Sequence, residues 1–202
     1  MLDAWMRRRI DPPLDRAGRV LARAGVPADA ITLAGFALGL AAIPLVAAGW
    51  HWLALAALLA NRLADGLDGA VARHDRVSDL GGYLDIVCDF LVYAGLPVGF
   101  ALLDPASNAL AAAVLVFSFV GTGSSFLAYA VIAAKRNETT EIRGRKSLYF
   151  LGGLTEGTET FLFLAAICAF PCAFVWLAYA FAAACWVTTV SRMLAAARAF
   201  RD

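Results

Sequence analysis

Apolar positions run along this chain in long blocks rather than in alternation. From Ala30 to Asn61 there is no Asp, Glu, Lys or Arg, and the same holds from Pro105 to Ala134 and from Thr160 to Ser191. A helix needs about 20 mostly apolar residues to cross the hydrocarbon of a bilayer. Each block is therefore long enough for one span, or for two spans and a turn. Gly49-Trp50-His51-Trp52 divides the first block and Pro171 divides the last. The pattern predicts an all-α polytopic membrane protein with six transmembrane helices, at about 30–49, 51–74, 81–103, 107–134, 149–170 and 173–196.

Residues 1–29 precede this bundle of residues 30–202 as a separate amphipathic segment. Leu14, Ala17, Leu21 and Ala24 share one helical face, and Arg16, Arg19 and Arg23 share the other. That distribution suits a helix lying in the headgroup layer, with a short cytosolic helix as the plainer alternative. The segment is too long and too charged for a signal peptide, and Pro12-Pro13 interrupts it.

Composition sharpens the picture. Of 202 residues, 61% are hydrophobic and 16% charged, against roughly a quarter charged in soluble domains. A soluble domain and a disordered chain are both excluded. The net charge of +1 argues against nucleic acid as a partner. Arg62 falls inside the second span, and the other sixteen of seventeen basic residues lie on one side of the six-helix arrangement. The turns Ala48–Leu53, Leu103–Asn108 and Phe170–Ala173 hold no Lys or Arg. The positive-inside rule then places both termini in the cytoplasm, as expected for an integral protein of a bacterial inner membrane. Cys88, Cys168, Cys172 and Cys185 show no metal-ligand spacing. Cys168 and Cys172 sit near one turn, where a disulfide or plain packing are the two readings. Gly35 and Gly39 form a GxxxG, which serves internal packing or a homodimer equally well.

Acids at membrane depth are costly and mark function by default. The second span carries Asp65 and Asp68, and the third carries Asp85 and Asp89. At 100° per residue, Asp65, Asp68, Gly69 and Ala72 occupy an arc of roughly 100°. The short connection Arg73–Leu80 makes the two helices antiparallel neighbours, so four carboxylates can converge. Four such anions must be protonated or neutralised by cations. All-oxygen ligands select Mg²⁺ or Mn²⁺. A metal pair held by carboxylates stabilises both oxygens in a displacement at phosphorus. Gly69, Gly81-Gly82 and Ala72 leave room beside the acids for a bulky ligand, and Arg73, one turn past Gly69, suits a phosphate. A lone membrane Asp is commonly an Arg partner or a helix-end group. Four on adjacent helices fit that reading poorly, and a proton or cation pathway is the stronger rival.

The run Asp65-x2-Asp68-Gly69-x2-Ala72-Arg73, followed by Gly81-x3-Asp85-x3-Asp89, resembles the signature of the CDP-alcohol phosphotransferases. All eight fixed positions of that signature are present within 25 residues. The spacer between Arg73 and Gly81 has seven residues where the family pattern has eight. The resemblance implies a six-helix membrane enzyme in which Asp65, Asp68, Asp85 and Asp89 hold two metal ions, usually Mg²⁺. It implies that Asp89 is the general base, and that Gly69 and Arg73 contact the CDP group. Ser78 matches the loop hydroxyl residue that often joins them. The family's Asn-x-x-Thr before the first span reads here Asp29-Ala-Ile-Thr32, which adds Thr32 as a nucleotide contact with Asp29 in place of Asn.

Further polar groups are candidates for an acceptor pocket. Glu156 and Glu159 lie roughly 16–21 Å from the outer end of the fifth span. They line a head-group pocket, or they form an acid pair in a first helical turn capped by Thr155. Arg62 is one turn before Asp65 and can pair with it. The basic run Lys135–Lys146 either faces anionic lipid or supplies Arg143, Arg145 or Lys146 to an acceptor phosphate. Thr188, Thr189, Ser191 and Arg192 on the last span are further candidates.

The expected activity is Mg²⁺-dependent transfer of a phosphatidyl group from a CDP-linked lipid, CDP-diacylglycerol foremost, to the hydroxyl of a small polar alcohol, with release of CMP. The acceptor stays open among glycerol 3-phosphate, serine, inositol or its phosphate, and choline. Two rivals remain. UbiA-type prenyltransferases also bind Mg²⁺-pyrophosphate with Asp-rich helices, and Asn61-x3-Asp65 echoes their motif, but they need more than six helices. A cation or proton transporter would need polar residues on both sides of the membrane, and here the outer half is apolar.

Overall fold

A computed structural model describes residues 2–136 and 153–200. Among them there are seven α-helices and no strand. They are α1 (Leu2–Arg23), α2 (Ala28–Ala47), α3 (His51–His74), α4 (Asp79–Leu103), α5 (Pro105–Lys135), α6 (Gly157–Ala169) and α7 (Phe174–Ala199), with a 3-10 turn at Pro171–Ala173 before α7. Ala28–Ala47, Asp79–Leu103, Pro105–Lys135 and Pro171–Ala199 are long and apolar enough to cross a membrane. α3 has the length, 24 residues, but Arg62, Asp65 and Asp68 lower its hydropathy. α6 has the composition but only 13 residues, about 20 Å.

Local chemistry sets the helix ends. Ser78 Oγ accepts from Gly81 N at 2.9 Å and caps α4, so the helix starts at Asp79, two residues before the expected position. Asp104 Oδ1 accepts from Ser107 N at 3.2 Å, and Pro105 occupies the first turn of α5. Gly49 has φ +79°, the left-handed conformation that turns α2 into α3 without steric cost.

Several expectations need correction. α1 runs through Pro12 and Pro13. Both prolines are exposed, so the carbonyls they leave unpaired can reach water. The face of α1 that packs is Leu14, Gly18, Leu21 and Ala22, while Ala17 and Ala24 are exposed. The contact is made by a residue without a side chain: a Cβ at Gly18 would lie 2.6 Å from Ala70 Cβ of α3. Beside it, Asp15 Oδ1 pairs with His74 Nε2 at 2.9 Å. The fifth expected span, 149–170, is helical only from Gly157, with 149–152 outside the described residues. Leu154 N and Thr155 N both donate to Thr188 Oγ1 at 3.1 Å, which draws this stretch onto α7 instead of into a helix. Gly35 and Gly39 pack internally: a Cβ at Gly35 would lie 2.6 Å from Ala64, and one at Gly39 would lie 2.6 Å from Val92. Cys168 and Cys172 are free thiols.

α2 packs against both α3 and α4, α5 joins α4 to α7, and α6 lies on α3. The apolar core fills the end of the bundle where α3 begins. Leu58, Leu96, Phe100, Leu115, Leu164, Ile167 and Phe174 are fully buried there. Phe100 stacks on Phe174 with ring centroids 4.3 Å apart, and His51 stacks on Phe100 at 5.8 Å. The acids lie at the opposite end, on the last turns of α3 and the first turns of α4.

Candidate active site

α2, α3 and α4 bring Thr32, Gly35, Phe36, Asn61, Asp65, Asp68, Asp85, Cys88 and Asp89 to one cavity. The α2–α3 wall is fixed by Asn61, whose Nδ2 donates to Gly35 O at 3.0 Å. Carboxylate oxygens of Asp65, Asp85 and Asp89 all lie within 4.8 Å of one another. Asp68 lines the same cavity but is turned toward α2, where it accepts from Thr32 Oγ1 at 2.5 Å. Three of the four expected ligands are thus gathered, and the fourth is held aside by a hydroxyl.

The remaining acids also have partners. Arg62 forms an ion pair with Asp65 and lies 6.0 Å from the Phe161 ring centroid. Tyr93 Oη donates to Asp89 Oδ2 at 3.0 Å. Three carboxylates so close together concentrate negative charge at one point of the cavity. Their hard oxygen donors are the set that a divalent cation such as Mg²⁺ or Mn²⁺ takes, so the residues present fit the metal that the sequence implies.

The other expected contacts form a second group beside the cavity. The guanidinium of Arg73 lies against the bare backbone of Gly69, with Nη1 3.6 Å from where a Cβ would stand. Ser78 Oγ and Asp29 Oδ1 lie 3.1 and 3.2 Å from a Cβ at Gly81, so Asp29, Ser78 and Gly81 meet at the start of α4. Ala72 is half-buried two residues before the end of α3. Thr32 alone of the expected substrate contacts lines the cavity itself.

The expected acceptor residues are not gathered there. Glu156 stands at the N-cap position of α6, the place expected of Thr155, but makes no side-chain capping bond; its Oε1 accepts instead from Gly153 N at 3.1 Å. Glu159 Oε2 is buried without a hydrogen-bond partner among the described residues. Arg143, Arg145 and Lys146 lie outside the described residues. Arg192 is buried, with Nη1 donating to Thr122 O at 3.0 Å. Thr188 holds the Leu154–Thr155 stretch. Tyr93 and Phe36 were not singled out from the sequence, and Cys88 was read there only as one of four cysteines without metal-ligand spacing. Tyr93 stands one turn beyond Asp89 on the same helix face, a spacing the sequence shows, but in an apolar run it reads as packing.

The family model of the CDP-alcohol phosphatidyltransferases matches residues 26–191. The chain belongs to that family. It is 51% identical over 193 residues to the inner membrane protein YnjF of Escherichia coli (strain K12), covering 96% of this chain and 94% of that one. It is 36% identical over 98 residues to the archaetidylinositol phosphate synthase of Pyrococcus horikoshii, covering 48% of this chain and 52% of the relative. Among solved structures, the crystal structure of Mycobacterium tuberculosis phosphatidylinositol phosphate synthase with CDP-DAG bound is similar at a TM-score of 0.63, with 26% identity and 92% of each chain covered. Family membership makes the chain a membrane-embedded transferase, and the prenyltransferase and transporter readings fall away.

Proposed function

We propose that this protein transfers the phosphatidyl group of CDP-diacylglycerol to the hydroxyl of a small polar alcohol and releases CMP, with Mg²⁺ bound at the aspartates. The observation that carries this reading is the convergence of Asp65, Asp85 and Asp89 within 4.8 Å, in a cavity that Asp68 also lines. Those four residues would hold the metal, as two ions, with Mn²⁺ able to substitute. The bound ions would neutralise the pyrophosphate and the departing CMP oxygen.

The side chains divide the remaining work. Arg73 binds a phosphate of the CDP group, while Gly69, Ala72 and Gly81 give that group room. Ser78 and Thr32 offer hydroxyls to the nucleotide. Asp89 takes the proton of the acceptor hydroxyl, whose oxygen attacks the phosphorus bearing the lipid as the bond from that phosphorus to the CMP oxygen breaks. Glu159, whose Oε2 is buried without a hydrogen-bond partner among the described residues, and Glu156, which would first have to release Gly153 N, are proposed to receive hydroxyls of the acceptor, and Arg143 and Arg145 its phosphate if it has one. A phosphorylated inositol is our first choice of acceptor, a choice supported by the names of the archaeal and mycobacterial relatives.

The same reading places six spans in the bilayer, with α3 and α6 completing the four that qualify by length and apolarity. α3 is packed by α2, and α6 by α3. Residues 1–29 lie at the interface and residues 30–202 form the catalytic bundle. Both termini and the aspartates face the cytoplasm across a bacterial inner membrane, in line with the distribution of Lys and Arg and with the name of the E. coli relative. All four aspartates come from one chain, so a homodimer is not required for chemistry.

The test is CMP release from CDP-diacylglycerol in liposomes, with Mg²⁺ or Mn²⁺, across inositol phosphate, glycerol 3-phosphate, serine, inositol and choline. Release that requires both the metal and one acceptor is expected. Silence with every acceptor overturns the proposal.

A further inference from the structure

The face of α4 that carries Asp85 and Asp89 continues one turn further to Tyr93. Its ring packs against the apolar core, and its hydroxyl reaches back to Asp89 Oδ2 at 3.0 Å. The family signature does not include this residue. Its place at the boundary of dry core and acid cavity gives it a task beyond filling space. The terminal torsion of a carboxylate is broad and roughly two-fold, so an unrestrained Asp89 would sweep its oxygens over a wide arc. Asp65 is restrained by Arg62 and Asp68 by Thr32. Tyr93 is the matching restraint on Asp89. Its ring is anchored by packing, and its single O–H can engage only one of the two carboxylate oxygens.

We propose that Tyr93 is a positioning residue: it fixes one oxygen of Asp89 and leaves the other to face Asp65 and Asp85. This rests on the reading of Asp89 as a metal ligand and base. A purely space-filling Tyr93 would tolerate phenylalanine, which keeps nearly the same volume. A positioning Tyr93 would not, because partners one step removed from a metal typically change affinity by about tenfold or more.

The test is a titration of Mn²⁺ into the full chain in detergent, followed by electron paramagnetic resonance of free Mn²⁺. It compares the wild type with Tyr93→Phe, Asp89→Asn and the double variant, with thermal melting measured alongside. Tyr93→Phe is expected to weaken Mn²⁺ binding about tenfold while still melting cooperatively in EDTA, at a temperature lowered by no more than the loss of one donor to Asp89 explains. The double variant is expected to bind no more weakly than Asp89→Asn alone, since a residue that acts only through Asp89 has nothing left to act on. Wild-type affinity in Tyr93→Phe, or a loss that persists in the Asp89→Asn background, overturns the proposal. A wild type that binds Mn²⁺ but releases no CMP refutes the transfer reaction and leaves this comparison able to decide Tyr93. A wild type that binds no Mn²⁺ refutes both.

Discussion

Thr32 on α2 donates its hydroxyl to Asp68 on α3, thirty-six residues away, at 2.5 Å. This bond ties the first long apolar helix to the helix that carries half of the acids. It also keeps Asp68 out of the Asp65–Asp85–Asp89 group. Asp68 is 7% exposed, so its carboxylate depends on protein donors. Removing the donor leaves a buried charge short of a partner, at a cost of about 1–3 kcal/mol. Thr32→Val is therefore expected to melt at a lower temperature than the wild type in EDTA. Mg²⁺ should raise the variant's melting temperature by more than it raises the wild type's, because the freed carboxylate gains a cation. Equal melting in EDTA would show that the bond contributes nothing.

Asp89→Asn keeps the size of the side chain and can still accept from Tyr93, but it cannot take a proton. Folding should survive, judged by an unchanged elution volume in detergent. CMP release should fall by at least about a hundredfold, the typical worth of a positioned base. Unchanged turnover would remove Asp89 from the proposed role. Asp68→Ala should instead weaken divalent binding, and wild-type affinity in a titration would count against a four-acid site.

The link between α1 and α3 is expected to depend on pH. Burial acts to raise the Asp15 pKa, but hydrogen bonds and charge from His74 and Arg19 outweigh it and hold the carboxyl below its usual 3.8. A depressed carboxyl stabilises the docked state above its unfolded pKa and loses that effect as pH falls through the folded one. Amides of α1 should thus exchange faster in Asp15→Asn than in the wild type near neutral pH. The difference should close as pH drops below 3.8. A gap that stays constant with pH would sever the link from Asp15 ionisation.

Gly18 offers a steric test of the same contact. A Cβ there would lie 2.6 Å from Ala70 Cβ and 2.8 Å from the Ala70 carbonyl carbon, and a backbone atom cannot step aside cheaply. Gly18→Leu should lift α1 from α3 and speed tryptic cleavage after Arg16, Arg19 and Arg23, which are already exposed, because a helix without its packing partner opens more readily. Cleavage at the wild-type rate would mean that α1 tolerates the added side chain where it stands.

Much of this molecule could be read from residue order because membrane helices obey simple rules. Charge-free blocks marked the long helices. The three- and four-residue spacing of Asp65, Asp68, Asp85 and Asp89 placed the acids on facing helix surfaces. What escaped was set by contacts between distant residues or by residues with little side chain. No local pattern announces that Thr32 will hold Asp68. Gly18 carries no hydrophobic signal, so Leu14 and Leu21 were placed on the packed face of α1 but Ala17 was read in the position of Gly18. The start of α6 depends on Thr188, more than thirty residues downstream, catching two backbone amides. Tyr93 was visible at the right spacing, but its hydroxyl acquires meaning only once Asp89 is known to point toward it.

The stacked rings of Phe100 and Phe174 have a consequence for traffic. Among the described residues the two rings are buried at the extremity remote from the carboxylates, so under the proposed reaction a water-soluble reactant would enter and depart on the carboxylates' own side. On that proposal the product lipid would return to the leaflet that furnished its precursor, and carrying its head group to the other leaflet would fall to separate machinery.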